Sequence, residues 1–213
     1  MKYSFMATDL KFVRNFIEAN HYSKSVNGCK VTQCYCLLDG LEIVGALLFG
    51  ELSTTSWKRY GETEKDVIEL RRLCTKDDCV KNTESWFIAQ AIKHLKKNYG
   101  YKICISYADP YHGHVGYIYQ ATNWNYIGAT NKDKLLKTPE GRLYHSRALR
   151  TKYKGDYKPF AKRLRALDEQ GKLETVEVPG KHIYAYSLDK KQKRGGLPYP
   201  KGNSPAQLVG TGL

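Results

Sequence analysis

The chain has 213 residues, 41% of them hydrophobic, which is enough to bury one substantial core and favours one main domain with an extension. No stretch reaches the ~20 apolar residues of a bilayer span, and the N-terminus lacks the charged, apolar, small-residue order of a secretory signal, so the expectation is a soluble cytoplasmic protein with no membrane partner. The formal charge is +14, with pI near 9.4, which argues for a polyanionic partner, nucleic acid before an anionic membrane surface; a merely soluble basic surface is the plain alternative.

In chain order, Asp9 to Ala19 spaces Phe12, Val13, Phe16 and Ile17 as one face of a short helix behind an Asp9 cap. The Asn20 to Ser23 stretch reads as a loop. Val31 to Leu38 and Leu41 to Phe49 are β-branched and apolar around Asp39-Gly40, a hairpin pattern. Ser53 to Glu64 is polar and aromatic, a loop over one end of a sheet. Val67 to Thr75 reads as a strand whose alternation sets Ile68, Leu70 and Arg72 on one side and Glu69, Arg71 and Leu73 on the other.

A polar loop, Lys76 to Thr83, leads into a helix over Ser85 to Lys97, with Asn82 or Thr83 as cap. Tyr101 to Tyr107 is a strand, Asp109-Pro110 a turn, Val115 to Ala121 a short helix and Trp124 to Gly128 a further strand. Alternating strands and helices imply an α/β sheet with helical crossovers. A charged turn spans Lys132 to Gly141, and periodicity leaves Arg142 to Tyr153 open between strand and helix. Tyr157 to Glu169 reads as a helix, Leu173 to Val178 with His182 to Leu188 as a hairpin, and everything from Lys190 as a flexible tail.

The charge is uneven: residues 142–213 hold 16 Lys and Arg against 6 acidic residues, whereas residues 1–141 hold 19 against 15. Phosphate contacts are therefore expected from Arg147, Arg150, Lys152, Lys154, Lys162, Arg163 and Arg165, and from the Lys190, Lys191, Lys193 and Arg194 cluster, without sequence reading. The six cysteines, Cys29, Cys34, Cys36, Cys74, Cys79 and Cys104, have no Cys-x-x-Cys spacing and read as reduced thiols, mostly buried.

The element order is that of the GNAT acyltransferase-like fold, a mixed, mostly antiparallel sheet flanked by helices. Glu69 to Leu73, Asn82 and Ser85, Ser106 to Pro110, and Gly113 to Trp124, with His21-Tyr22 and Leu143 to Arg147, resemble the Mom family, a divergent GNAT-like group that modifies adenine in phage DNA and shields it from restriction. The resemblance covers roughly residues 15–150. It implies a catalytic domain over residues 1–150, a basic extension over 151–213, action in an infected bacterial host cell, double-stranded DNA as partner and a carbamoylmethyl-type group placed on the adenine N6. Ordinary GNAT loops cradle a coenzyme A pyrophosphate on glycine-rich backbone. Here Thr75 to Thr83 has no glycine and carries Asp77 and Asp78, so the small-molecule donor is left unnamed. A coenzyme A-dependent N-acetyltransferase of small-molecule or protein amines is the alternative, and a non-enzymatic DNA-binding protein a third reading.

Adenine N6 is a poor nucleophile, so its proton must be taken and its amine held close to the electrophile. Inside a duplex the base must first be flipped into a pocket of aromatic faces. Asp109, after the end of a strand, is the first choice for general base or metal ligand, with a solvated turn aspartate as the bland reading. The resemblance adds Tyr119 and His21 to the same site, a set able to hold iron or another divalent metal. Tyr22 and Ser106 complete the catalytic expectation and His114 is expected at the DNA. Arg71, Arg72, Asn82 and Ser85 are expected at the cofactor, although a buried ion pair would equally explain the arginines.

Overall fold

The computed structural model describes residues 2–52, 55–189 and 195–201, and the chain forms two compact units. The first comprises residues up to Asp109, His114–Gly128 and the chain from His182; the second comprises Pro110–Gly113 and Ala129–Lys181. This division does not follow the expected boundary at residue 150. Lys190, Lys191, Lys193 and Arg194 lie outside the described residues.

The first unit begins with β1 (Ser4–Thr8) and α1 (Leu10–Asn20), where Asp9 caps the helix by accepting the Phe12 N–H at 3.0 Å. The β2 (Val31–Asp39) and β3 (Glu42–Gly50) hairpin turns at Gly40, held at φ +60°. Then follow β4 (Val67–Thr75), α2 (Thr83–Asn98), β5 (Ile103–Ala108), α3 (Tyr117–Ala121) and β6 (Asn125–Ala129). The second unit supplies β7 (Asp133–Lys137), β8 (Leu143–His145), β9 (Lys152–Tyr153), β10 (Asp156–Tyr157), α4 (Pro159–Glu169) and β11 (Glu174–Val178), before β12 (His182–Ser187) returns to the first.

The main sheet has the order β1-β2-β3-β4-β5-β12-β6. β1·β2, β2·β3, β3·β4 and β5·β12 run antiparallel, and β4·β5 is parallel. Period-two alternation gives each strand two apolar faces. Tyr35, Leu37, Leu47, Phe49, Ile68 and Leu70 meet Phe87, Ile88, Ala91 and Leu95 of α2, together with Tyr119 and Trp124. On the opposite face Cys34, Cys36, Ala46 and Leu48 meet Val13 and Ile17 of α1. The second unit has its own antiparallel sheet, β11-β7-β8, and a small β9–β10 hairpin.

Three expectations are corrected here. β11 and β12 do not form a hairpin: β11 pairs with β7, while β12 pairs with β5, from His182 opposite Ala108 to Ser187 opposite Ile103. The charged stretch expected as a turn contains β7, whose Lys137 pairs with Glu174 of β11, while Lys132, just before β7, pairs with Glu177. Residues 195–201 of the expected tail lie against β6, with a bridge between Tyr126 and Leu197 and a Tyr199 hydroxyl donating to the Trp124 carbonyl at 2.9 Å.

Gly116 combines a left-handed backbone with a close approach in the core. It sits at φ +88°, and a Cβ there would stand 2.3 Å from the Tyr184 ring, whose hydroxyl donates to the Val115 carbonyl at 2.5 Å. Gly116→Ala is expected to cost about 3 kcal/mol, combining the left-handed backbone with a clash in the core. Gly28→Ala, at φ +76° with nothing within 4 Å, should cost about 1 kcal/mol. Urea midpoints of the two variants check the difference.

Candidate functional site

The parallel ladder between β4 and β5 runs from Val67↔Ile103 to Leu70↔Ser106, and β4 continues to Thr75 beyond it. At that end the Ser106 hydroxyl donates to the Leu70 carbonyl at 2.9 Å and lies 2.7 Å from the Tyr119 hydroxyl. A serine has one proton, so Tyr119 donates to Ser106. Both side chains are buried, and burial raises the Tyr119 hydroxyl far above its ordinary value. Ser106, expected among the catalytic hydroxyls, is thus a strut that pins α3 to the strand junction.

Directly after Leu70 the pairing with β3 shifts. Leu48 faces Arg72 and Phe49 faces Leu70, so Arg71 is the extra residue of a β-bulge. The bulge breaks the expected alternation. Leu73 packs with the α2 core beside Leu70, whereas Cys74 joins the α1 core, so Arg71 and Arg72 both fall on the α1 face. Arg71 pairs with Glu69 at 3.2 Å, the two side chains 13% and 14% exposed, and also donates to the Glu51 carbonyl. Arg72 donates through Nε to the Ser25 carbonyl at 3.1 Å and through Nη1 to the Arg71 carbonyl at 2.7 Å. The two cations expected at a cofactor are engaged in fixing chain, Arg72 by tethering the loop after α1.

That loop carries His21, 6% exposed, and Tyr22, 48% exposed. The rings form a shelf: His21 and Tyr22 lie 4.3 Å apart at 32°, and Tyr22 and His114 lie 5.1 Å apart at 45°. The structure therefore brings together His21, Tyr22 and His114, with Arg72 holding the loop beneath them. Burial first, then the positive charges of Arg72, His114 and Lys24, lowers His21 to about 4. Its Nδ1 receives the Ser23 backbone N–H at 3.1 Å, and a backbone amide can only donate. Neutral His21 accordingly carries its proton on Nε2 and acts as a hydrogen-bond donor there, not as a base.

Asp109 is half-buried at the C-terminal end of β5, and its carbonyl accepts the His114 N–H at 3.1 Å, which ties the His114 turn to the strand. Among the described residues no group of three or more His, Cys, Asp or Glu is placed to hold a metal ion. Tyr119 would have to leave Ser106 to act as a ligand. The described residues do not fit a metal centre.

A second feature lies at the start of α2, a cavity of about 500 Å³ lined by Thr75 to Asp77, Cys79 to Ser85, Tyr117, Ile118 and Ala121. Asn82 and Ser85 are in its wall, as expected for a cofactor site; Arg71 and Arg72 are not. Asn82 adopts φ +67° and makes no side-chain cap; its carbonyl instead accepts the Ser85 hydroxyl at 2.9 Å. The positive end of a 16-residue helix favours an anionic group. The same wall carries two acids, Asp77 and Glu84, and two lysines, Lys76 and Lys81. Burial raises the Glu84 carboxyl above its ordinary value.

Sequence reasoning missed the bulge and the tethering role of Arg72. The expected DNA contacts from Arg147 to Arg165 all lie in the second unit, where Arg147, Arg150, Lys152, Lys154, Lys162 and Arg163 are exposed.

A sequence model of the Mom protein family matches residues 2–203. The protein named methylcarbamoylase mom, from Escherichia phage Mu, is 32% identical over 139 residues, which is 62% of this chain and 55% of that protein; the match thus spans little more than half of the relative's length. Among solved structures, an N-acetyltransferase from Staphylococcus aureus Mu50 is 15% identical, with 89% of this chain and 100% of that one covered and a TM-score of 0.49. A Bacillus subtilis acetyltransferase in complex with CoA is 12% identical, with 87% and 97% covered and a TM-score of 0.48.

The His21 geometry has a measurable consequence. Its folded value lies below the ordinary 6.5, so between 6.5 and about 4 the unfolded chain binds the proton first. The stability contributed by neutral His21 is complete above pH 6.5 and is lost as pH falls toward 4. Denaturation across that window should show a fall in stability that His21→Asn flattens; an unchanged slope in the variant would contradict the assignment.

Proposed function

The chain belongs to the Mom protein family, and on that premise we propose that it is a transferase that modifies the N6 amine of adenine in double-stranded DNA. The single observation that carries this reading is the aromatic shelf of His21, Tyr22 and His114 beside the end of the β4·β5 ladder. A duplex base must leave the stack before its exocyclic amine can react, and a flipped purine needs a flat partner and fixed hydrogen-bond donors. Tyr22 offers the half-exposed face, and the Nε2–H of neutral His21 offers a donor that carries no charge.

In this reading Asp109 accepts a proton from N6 as the nitrogen bonds to the electrophilic carbon of the donor, and the donor's leaving group departs with the bonding pair. The cavity at the head of α2 receives the donor's anionic part. The group transferred is of carbamoylmethyl or related acyl type; the phage Mu relative carries the name methylcarbamoylase. The basic second unit holds phosphates, and the modification shields phage DNA from restriction.

The test is mass spectrometry of nucleosides from DNA of cells expressing the protein. A heavier deoxyadenosine species is expected, with its yield reduced at least about 100-fold by Asp109→Ala. Unmodified deoxyadenosine together with acetylated amines in the same cells would replace this reading with the coenzyme A-dependent alternative.

A further inference from the structure

The proposed function leaves unexplained a small element of the second unit. Residues 142–165 contain nine Lys and Arg and a single acidic residue, Asp156. At the centre of this stretch stands the β9–β10 hairpin, in which Tyr153 pairs with Asp156 and Lys152 with Tyr157. Its two turn residues, Lys154 at φ +49° and Gly155 at φ +86°, are both left-handed, the turn whose twist matches that of the strands. The Lys158 N–H continues the ladder to the Thr151 carbonyl at 3.0 Å.

The two tyrosines of the hairpin are treated differently. Tyr157 is anchored, with the Lys152 ammonium 4.7 Å and the Arg165 guanidinium 4.6 Å from its ring centre. Asp156 is drawn down to α4 by Lys162 at 2.6 Å, and that bond with the Tyr157 N–H holds its carboxyl below the ordinary range. The one negative charge of the stretch is thereby neutralised. Tyr153, in contrast, is 65% exposed, more than any other Tyr, Phe or Trp among the described residues, with Lys154 beside it at 5.6 Å.

We propose that the β9–β10 hairpin is a base-stacking finger for duplex DNA, in which Tyr153 wedges against the base stack while Arg147, Arg150, Lys152 and Lys154 hold phosphates. A two-stranded ribbon is narrow enough for a DNA groove. An aromatic wedge that unstacks a base step lowers the cost of extruding a neighbouring base. An exposed ring with a cation beside it, on a strongly basic stretch, is suited to nucleic acid, where phosphate and a π-face occur together; an anionic bilayer has the charge without the face. The inference rests on the DNA reading above and adds to it a residue with no part in the chemistry.

The experiment measures binding of the full-length protein to a short duplex over a range of salt, by anisotropy, for wild type, Tyr153→Ala and Tyr153→Phe. Because stacking on one base is lost, Tyr153→Ala should bind about ten-fold more weakly. Its slope of log affinity against log salt should equal that of wild type, since no phosphate contact is removed. Tyr153→Phe should bind as wild type, and 2-aminopurine in the duplex should brighten with wild type and not with Tyr153→Ala. Equal affinity of Tyr153→Ala and wild type would overturn the finger while leaving salt-dependent DNA binding in place. Absence of salt-dependent duplex binding by wild type would remove the DNA reading itself. A loss with Tyr153→Ala on phosphatidylserine vesicles but not on duplex would also overturn the proposal.

Discussion

The parallel ladder of β4 and β5, and the fact that it stops at Leu70 and Ser106, is the constraint from which the rest of the site follows. Ser106 and Tyr119 lock the last rung to α3, so the junction cannot slide. The bulge at Arg71 comes on the next residue and re-aims β4, which brings Arg71 and Arg72 to one face. Arg72 can then reach the Ser25 carbonyl and hold the loop that presents His21 and Tyr22. From the other strand, the Asp109 carbonyl fixes the turn that presents His114. Two loops distant in sequence meet as one aromatic shelf because a single strand pair ends where it does.

Electrostatics divides the work between the units. In the first, His21 is buried beside Arg72 and His114 and stays neutral, with Ser23 deciding which nitrogen bears the proton. In the second, charge accumulates on the surface. Pro110–Gly113 and Ala129–Lys181 hold 14 Lys and Arg against 7 acidic residues, and several of those acids are already paired, Glu140 with Arg163 and Asp156 with Lys162.

What the sequence made legible was local. The Asp9 cap, the Gly40 turn, the apolar face of α2 and the strand at Ile103–Ala108 each follow from residues within a few positions of one another. The resemblance grouped His21 with Asp109 and Tyr119 and set His114 apart at the DNA, whereas the ring contacts join His21, Tyr22 and His114. What escaped was non-local. Nothing in His182–Ser187 says that its partner is β5 rather than its neighbour β11, because either pairing satisfies the same apolar alternation. The bulge at Arg71 is equally silent, since Glu69 to Leu73 alternates cleanly as written and only the register with β3 shows the extra residue. Leu197 and Tyr199 were hidden by a Gly- and Pro-rich setting whose composition resembles that of a free tail.

The account stands or falls on where the target base goes. Photocrosslinking of the full-length protein to a duplex bearing 8-azidoadenine, followed by peptide mapping, locates the flipped base directly. Adducts on the peptide carrying His21 and Tyr22 or on that carrying His114 are the predicted result. Efficient crosslinking confined to other peptides, with both of these unlabelled, would contradict the assignment of the shelf as the adenine site.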